Sequence, residues 1–323
     1  MPATVTHAYF TNDIYDILPE NIKNRLNLKR LKMFGQAYDP FMFYNLFSIL
    51  PGKKVRNLSE YFHSNKTRAF FINNLNIIKE NNLSNDKDTL SFLTGFICHY
   101  ALDSTLHPYI IYKTGVMDKK YKNTYKYNNQ HTFMETFIDN DMIKRREKIN
   151  PYKFRIDKYC FDTSKFSKQL VFLINRSFLE TYNLKNASAI YFKSLKQMKS
   201  ALFFLRRDVY GIKKNIYKFI DTFTSDKTFR LEAVSYHYTL NDMHNYLNNN
   251  HTVWRNPTTY NMESSESFIE LYIKAIKIAE ELICSSFDFL DGKDVNLNEV
   301  FLNLSYLSGL DCELNKELKY FEF

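Results

Sequence analysis

Apolar residues recur along this chain at three- and four-residue intervals, the spacing that gathers them on one face of a helix. Ile14, Ile17, Leu18, Ile22 and Leu26 predict a short helical hairpin over residues 8 to 30, interrupted at Pro19. Gly35 and Asp39-Pro40 mark non-helical backbone before a new helix for which Pro40 suits the first position. A loop with Pro51-Gly52 then leads to His63, and Ser64 or Asn65 is the expected cap of a helix running to about Asn81. The next helix begins close to Asp86 or Asp88 and keeps Phe92, Gly95, Phe96, Leu102 and Leu106 on one side. Thr114 to Gln130 is basic and rich in tyrosine and asparagine, so it reads as exposed loop. Met134, Ile138 and Met142 share the apolar face of the helix that follows. Further helical patterns cover about 164 to 184, 188 to 222 and 264 to 290, the last with Ser264 or Ser265 as expected cap. The final thirty residues, including Tyr306-Leu307-Ser308-Gly309-Leu310-Asp311, read as a packed tail. With only seven Gly and seven Pro in 323 residues, the turn-dense punctuation of a β-sandwich is missing. The expected fold is an all-α multi-helix bundle, with residues 1–323 forming a single domain.

Composition supports a large core, with 45% hydrophobic and 17% aromatic residues. The four cysteines, Cys98, Cys160, Cys284 and Cys312, contain no CxxC pair, which argues against a zinc ribbon or a disulfide framework. Buried free thiols suit a reducing compartment. The N-terminus Met-Pro-Ala-Thr-Val-Thr-His lacks the pattern of a secretory signal, and no apolar run is long enough for a transmembrane helix. A cytoplasmic location is therefore expected, with export by another route left open. Net charge is +9, from 44 Lys and Arg against 35 Asp and Glu. That balance suits anionic headgroups or nucleic acid, but the lysines are spread among asparagines and tyrosines, as on a solvated surface.

One stretch changes this picture. His99, Asp103 and His107 are spaced four apart, so on a helix they lie along one slowly drifting stripe. The stripe is apolar, and burying a carboxylate with imidazoles there is costly without a compensating partner. A cation is such a partner, and Gly95, one turn before His99, leaves room for a close approach. His131-x-x-x-Glu135 repeats the pattern on a second helix. Five of the eight histidines, His7, His63, His99, His107 and His131, fall in the first 135 residues, with Asp39, Asp103 and Glu135 among them. Imidazole and carboxylate without cysteine suit zinc or another borderline divalent ion in a catalytic site, and so many donors exceed what one tetrahedral ion can use. A multinuclear site is expected. Asp39, taken alone, reads as a helix N-cap.

Together these segments resemble the zinc-dependent phospholipase C family, related in fold to single-strand-specific zinc nucleases. The likeness runs through Thr6-His7-Ala8-Tyr9-Phe10, Gly35-Gln36-Ala37-Tyr38-Asp39-Pro40, the His63 segment, His99-x-x-x-Asp103, His107 and His131-x-x-x-Glu135. It implies an all-α bundle with three zinc ions, the ligands lying within residues 1–143 and residues 144–323 completing the bundle. By position, Asp39, His63, His99 and Asp103 are implied as ligands of one zinc, with Asp103 bridging to a second that His7 also binds. His107, His131 and Glu135 are implied for the third. Asp39 is also the implied general base. Secreted members complete one zinc site with an N-terminal tryptophan, where this chain has Met1-Pro2.

The implied activity is metal-assisted phosphodiester hydrolysis of a phospholipid, with peripheral contact at a membrane surface. A nucleic acid or soluble phosphoester is the alternative substrate, and a non-catalytic helical metal-binding protein is the third reading. Tyr38, Phe41, Phe43 and Tyr44 either wall an apolar pocket or belong to the core, the latter being commoner at this aromatic density. His237, His244 and His251, spaced by seven near Asp242, are read as ordinary histidines.

Overall fold

The computed structural model describes residues 4–237, 244–314 and 316–322. Asp242 and the Met1-Pro2 terminus lie outside the described residues. The chain is mostly helical. Its first third holds α1 (Thr4–Ile17), α2 (Glu20–Lys23), α3 (Leu28–Phe34), α4 (Lys53–Ser64), α5 (Thr67–Glu80) and α6 (Lys87–Thr114). After these come α7 (Gln130–Glu147), α8 (Ile156–Tyr159), α9 (Lys168–Tyr182), α10 (Ala187–Arg206) and α11 (Ile212–Thr222). The long α12 (Phe268–Leu290) and short α13 (Leu297–Val300) follow a two-stranded antiparallel hairpin, β1 (Trp254–Asn256) and β2 (Thr259–Ser264), paired Trp254 to Ser264. The fold is all-α, as the periodicity predicts.

α6 is the axis of the bundle. Asp86 caps it by accepting from the Thr89 amide at 2.9 Å, and at 1.5 Å per residue it spans about 42 Å. It is buried along nearly its whole length, between α3, α12, α9, α7 and α1. Pro108 lies within it and cannot donate to the Ser104 carbonyl. The C-terminal tail packs on that spot: a Cβ on Gly309 would lie 2.5 Å from the Ser104 oxygen, so only glycine lets the tail approach this closely.

Several local expectations change. Residues 8 to 30 form three helices, with Pro19 preceding α2, and Ile17 is 46% exposed because α1 ends there. Asp39–Phe43 is a five-residue 3-10 turn with Pro40 near its start. His63, expected in a loop, lies in the last turn of α4, whose Val55, Leu58, Ser59 and Phe62 form an inward stripe. α5 starts at Thr67 after a left-handed Lys66, so neither Ser64 nor Asn65 caps it. The 188–222 pattern divides at Arg207–Gly211, where Gly211 takes a φ of 70°. Ser264 ends β2; the cap of α12 is Ser267, in a reciprocal box with Glu270. The tail is packed, as expected, through the fully buried Tyr306.

Candidate metal centre

Seven of the eight predicted side chains are buried, and His131 is half-buried. They arrive from separate elements: His7 from α1, Asp39 from the 3-10 turn, His63 from α4, His99, Asp103 and His107 from α6, and His131 and Glu135 from α7. Their donor atoms gather into three groups, each with atoms within 4.8 Å of one another: His7, His99 and Asp103; Asp39, His63 and His99; His107, His131 and Glu135. Asp103 is central. Its Oδ1 is 3.3 Å from His7 Nε2, and its Oδ2 is 3.0 Å from His99 Nε2, 3.4 Å from His107 Nδ1 and 3.8 Å from His63 Nε2. At the third group, Glu135 Oε1 is 2.9 Å from His131 Nε2 and 3.7 Å from His107 Nε2.

Three histidines are turned by backbone carbonyls. Nδ1 of His63 lies 2.6 Å from the Ser59 oxygen, Nδ1 of His99 lies 2.9 Å from the Gly35 oxygen, and Nδ1 of His107 lies 3.1 Å from the Tyr306 oxygen. With Nδ1–H donating, each neutral ring offers a lone pair at Nε2, the second-sphere orientation typical of metal-ligating histidine. His63 and His99 then point Nε2 at Nε2 across 3.2 Å. Two lone pairs at that distance require a proton or a cation between them. Asp39 Oδ2 is buried with no hydrogen-bond partner among the described residues, while its Oδ1 is 3.4 Å from His63 Nε2. The residues therefore fit a divalent cation bound by nitrogen and oxygen.

Electrostatics point the same way. Burial opposes ionisation of Asp103, yet His107, His99 and His7 hold it well below the ordinary carboxylate range. Asp39 is likewise lowered, its burial outweighed by His99 and His63. Glu135 is lowered by His131 and His107 against its burial. His99 is pushed up to about 9 by Asp103 and Asp39, although burial alone would lower it. His107 is raised by Asp103 and Glu135 against burial, whereas burial wins at His131 and lowers it. Without a metal, protons on imidazole supply the positive charge that the buried carboxylates demand.

Gly95 has a different role from the one expected. A Cβ there would meet the Phe34 backbone at 2.6 Å and the Gly35 nitrogen at 2.8 Å. The close approach is made by the end of α3, which brings the Gly35 carbonyl to His99. Sequence reasoning also missed Tyr306, whose amide donates to the His63 carbonyl at 2.8 Å while its own carbonyl faces His107. No spacing could signal a partner some 200 residues away. Asp139 was detectable, being one turn beyond Glu135. Its carboxylate accepts from the Val5 and Thr6 amides and from Arg206 at 2.7 Å, so it ties the α1 N-terminus, and with it His7, to α7.

A cavity of about 380 Å³ opens beside Asp39, His63, His107 and His131, with Met42, Ile111, Val116 and Leu307 as apolar wall. Tyr38, Phe41 and Phe43 are buried in the core. A larger cavity, about 570 Å³, lies between α6, α12 and the hairpin and touches none of the eight residues. His237 stacks on Tyr152 with centroids 4.2 Å apart and lies 2.7 Å from the Asp208 carbonyl; His251 is exposed beside Glu270.

A largely helical chain whose buried histidines and carboxylates form three adjoining donor groups defines a class, that of helical proteins with a site for several metal ions. The family model described as zinc dependent phospholipase C matches residues 6–184, more than half of the chain and all eight donors, and the chain belongs to that family. No curated protein and no solved structure matches it. Among the described residues, no helix is long and apolar enough to cross a membrane.

Proposed function

We propose that this chain is a zinc-dependent phosphodiester hydrolase that cleaves the glycerol–phosphate bond of a phospholipid, with residues 1–323 acting as one domain. The observation that carries the reading is the Asp103 carboxylate, one oxygen on His7 and the other on His99, which suits a ligand shared between two ions. Asp39, His63, His99 and Asp103 are assigned to one zinc, His7 and Asp103 to a second, and His107, His131 and Glu135 to a third. The chemistry zinc supplies when bound is charge neutralisation at phosphoryl oxygens and a lower pKa for coordinated water.

The protein's own residues do the rest. Asp39 Oδ2, buried and unpaired, accepts a hydrogen bond from the attacking water and orients it. The same oxygen is placed to take a proton from that water as a general base. Met42, Ile111, Val116 and Leu307 give the cavity an apolar wall that suits the glycerol and first acyl carbons of a lipid.

The test is a substrate panel on zinc-loaded protein: release of phosphocholine or phosphoethanolamine from phospholipid, beside cleavage of single-stranded DNA. Headgroup release supports the reading. DNA cleavage alone favours the nuclease alternative, which a net charge of +9 would suit. Neither activity in fully metallated protein leaves a non-catalytic metal-binding role.

A further inference from the structure

We infer that α11, the end of α10 and the loop at residues 46–50 form an interfacial face that docks the protein on a lipid bilayer carrying anionic headgroups. The inference rests on the lipid-hydrolase reading and adds a surface outside the metal centre. α10 and α11 also lie beyond residue 184, where the family match ends.

α11 and the residue after it present Ile212, Ile216, Phe219, Ile220 and Phe223 to solvent, exposed by 61%, 48%, 66%, 40% and 77%. At 100° per residue these five fall within an arc of about 100°. Only Tyr217 and Asp221 of the helix are buried, and they occupy the adjoining arc. They fix the helix through polar bonds: Tyr217 donates to the Leu205 carbonyl at 2.9 Å, and Asp221 accepts from the Leu231 and Glu232 amides at 3.0 and 2.8 Å. The apolar stripe is thus turned outward by a defined attachment.

The patch continues beyond the helix. Phe204 lies in a groove with Tyr210, Ile212 and Ile216, and also in a second groove with Leu46 and Phe47. Phe47, Ile49 and Leu50 are all largely exposed. Their loop is held at its base, where the Asn45 amide donates to Gln197 of α10 at 2.9 Å and Arg56 donates to the Tyr44 carbonyl at 3.0 Å. An apolar surface this extended is uncommon on a protein that meets only water.

Charge selects the occupant. Residues 181–220 contain nine Lys and Arg and one acidic residue, Asp208; residues 40–59 add Lys53, Lys54 and Arg56 and no acid. These two segments are basic in themselves, although they hold only twelve of the chain's 44 Lys and Arg. Arg206 is buried on Asp139, and Asp208 is buried with its carboxylate accepting from the Lys214 amide. Lys53, Lys54, Lys196, Lys214 and Lys218 remain exposed. An apolar stripe flanked by lysine matches the interfacial zone of an anionic bilayer. A second copy of the chain is disfavoured, because pairing the face with itself would set lysines against lysines. The Asp39–Phe43 turn runs directly into this loop, and Met42 lines the metal-centre cavity, so docking brings a wall of that cavity towards the lipid.

The experiment is co-sedimentation of the full chain with vesicles of phosphatidylcholine, with and without phosphatidylglycerol, at low and high salt. Wild type is expected to bind the mixed vesicles, less tightly in high salt. Phe219→Ser with Phe223→Ser is expected to weaken binding roughly a hundredfold, and Lys214→Ala with Lys218→Ala roughly tenfold on mixed vesicles only. All four side chains are exposed, so thermal midpoint and zinc content should stay at wild-type values. No vesicle binding by wild type, equal binding by the phenylalanine variant, or a wild-type dimer that this variant dissociates would each overturn the inference. Hydrolysis of a soluble short-chain phospholipid, tried with choline and with ethanolamine headgroups, separates the two proposals. If wild type lacks it but binds vesicles, the catalytic reading fails and the docking face stands.

Discussion

Asp103 has the most neighbours in the site, and its two oxygens serve different histidines. Asp103→Ala is expected to lower bound zinc by two equivalents, and Glu135→Ala by one, as counted by elemental analysis of dialysed protein. Equal losses would reject the bridging role. The histidines also set a pH dependence. His99 is raised from 6.5 to about 9 in the folded chain. A group raised in this way contributes stability that is fully present below its unfolded value and is lost as pH rises through the folded one. Metal-depleted protein should therefore lose thermal stability between about pH 7 and pH 10, and zinc-loaded protein, whose ligating histidines are neutral and carry no second proton, should not. Differential scanning fluorimetry of both forms checks the sign.

Two elements at the centre, α1, which bears His7, and α3, whose end orients His99, are each fixed by contacts made elsewhere. α1 depends on Asp139, which satisfies its first amides and pairs with Arg206 and Tyr236 in a fully buried network. Removing one partner of a buried ion pair typically costs about 3–5 kcal/mol. Asp139→Ala should thus lower the urea midpoint and also reduce zinc at the His7 group while leaving the His107, His131 and Glu135 group filled. α3 depends on Gly95. Gly95→Ala places a methyl 2.6 Å from Phe34, an overpacking expected to cost about 1–3 kcal/mol. Retreat of α3 would also take the Gly35 carbonyl away from His99, so zinc affinity should fall with stability.

At the scale of the assembled chain, the tail closes the centre. Tyr306 bonds through its backbone to His63 and His107, and its ring packs on Tyr38, His63, His99 and Tyr100. Its hydroxyl is buried without a partner among the described residues. Tyr306→Phe should therefore be neutral or slightly stabilising, while Tyr306→Ala should cost about 3–5 kcal/mol and weaken zinc binding. Thermal melts and zinc titration of the two variants distinguish a packing role from a hydroxyl one.

Local pattern was enough to read most of the helices and five of the candidate donors, His99, Asp103, His107, His131 and Glu135, because helix periodicity and four-residue spacing are encoded by near neighbours, whereas His7, Asp39 and His63 entered as ligands through the family resemblance. His99, Asp103 and His107 had to share a face once α6 formed, and His131 and Glu135 had to share another. His63 was found as a donor while its helix was missed, since the Val55, Leu58, Ser59 and Phe62 stripe is interrupted by lysine, arginine and serine. What no local pattern carries is convergence. That Asp103 lies between His7 and His99, that Gly95 admits α3 and not an ion, and that Tyr306 orients His107 all depend on packing between residues far apart in sequence. The same holds for the outward face of α11. Its periodicity predicts an apolar stripe, and only the way Tyr217 and Asp221 attach the helix determines that the stripe faces solvent.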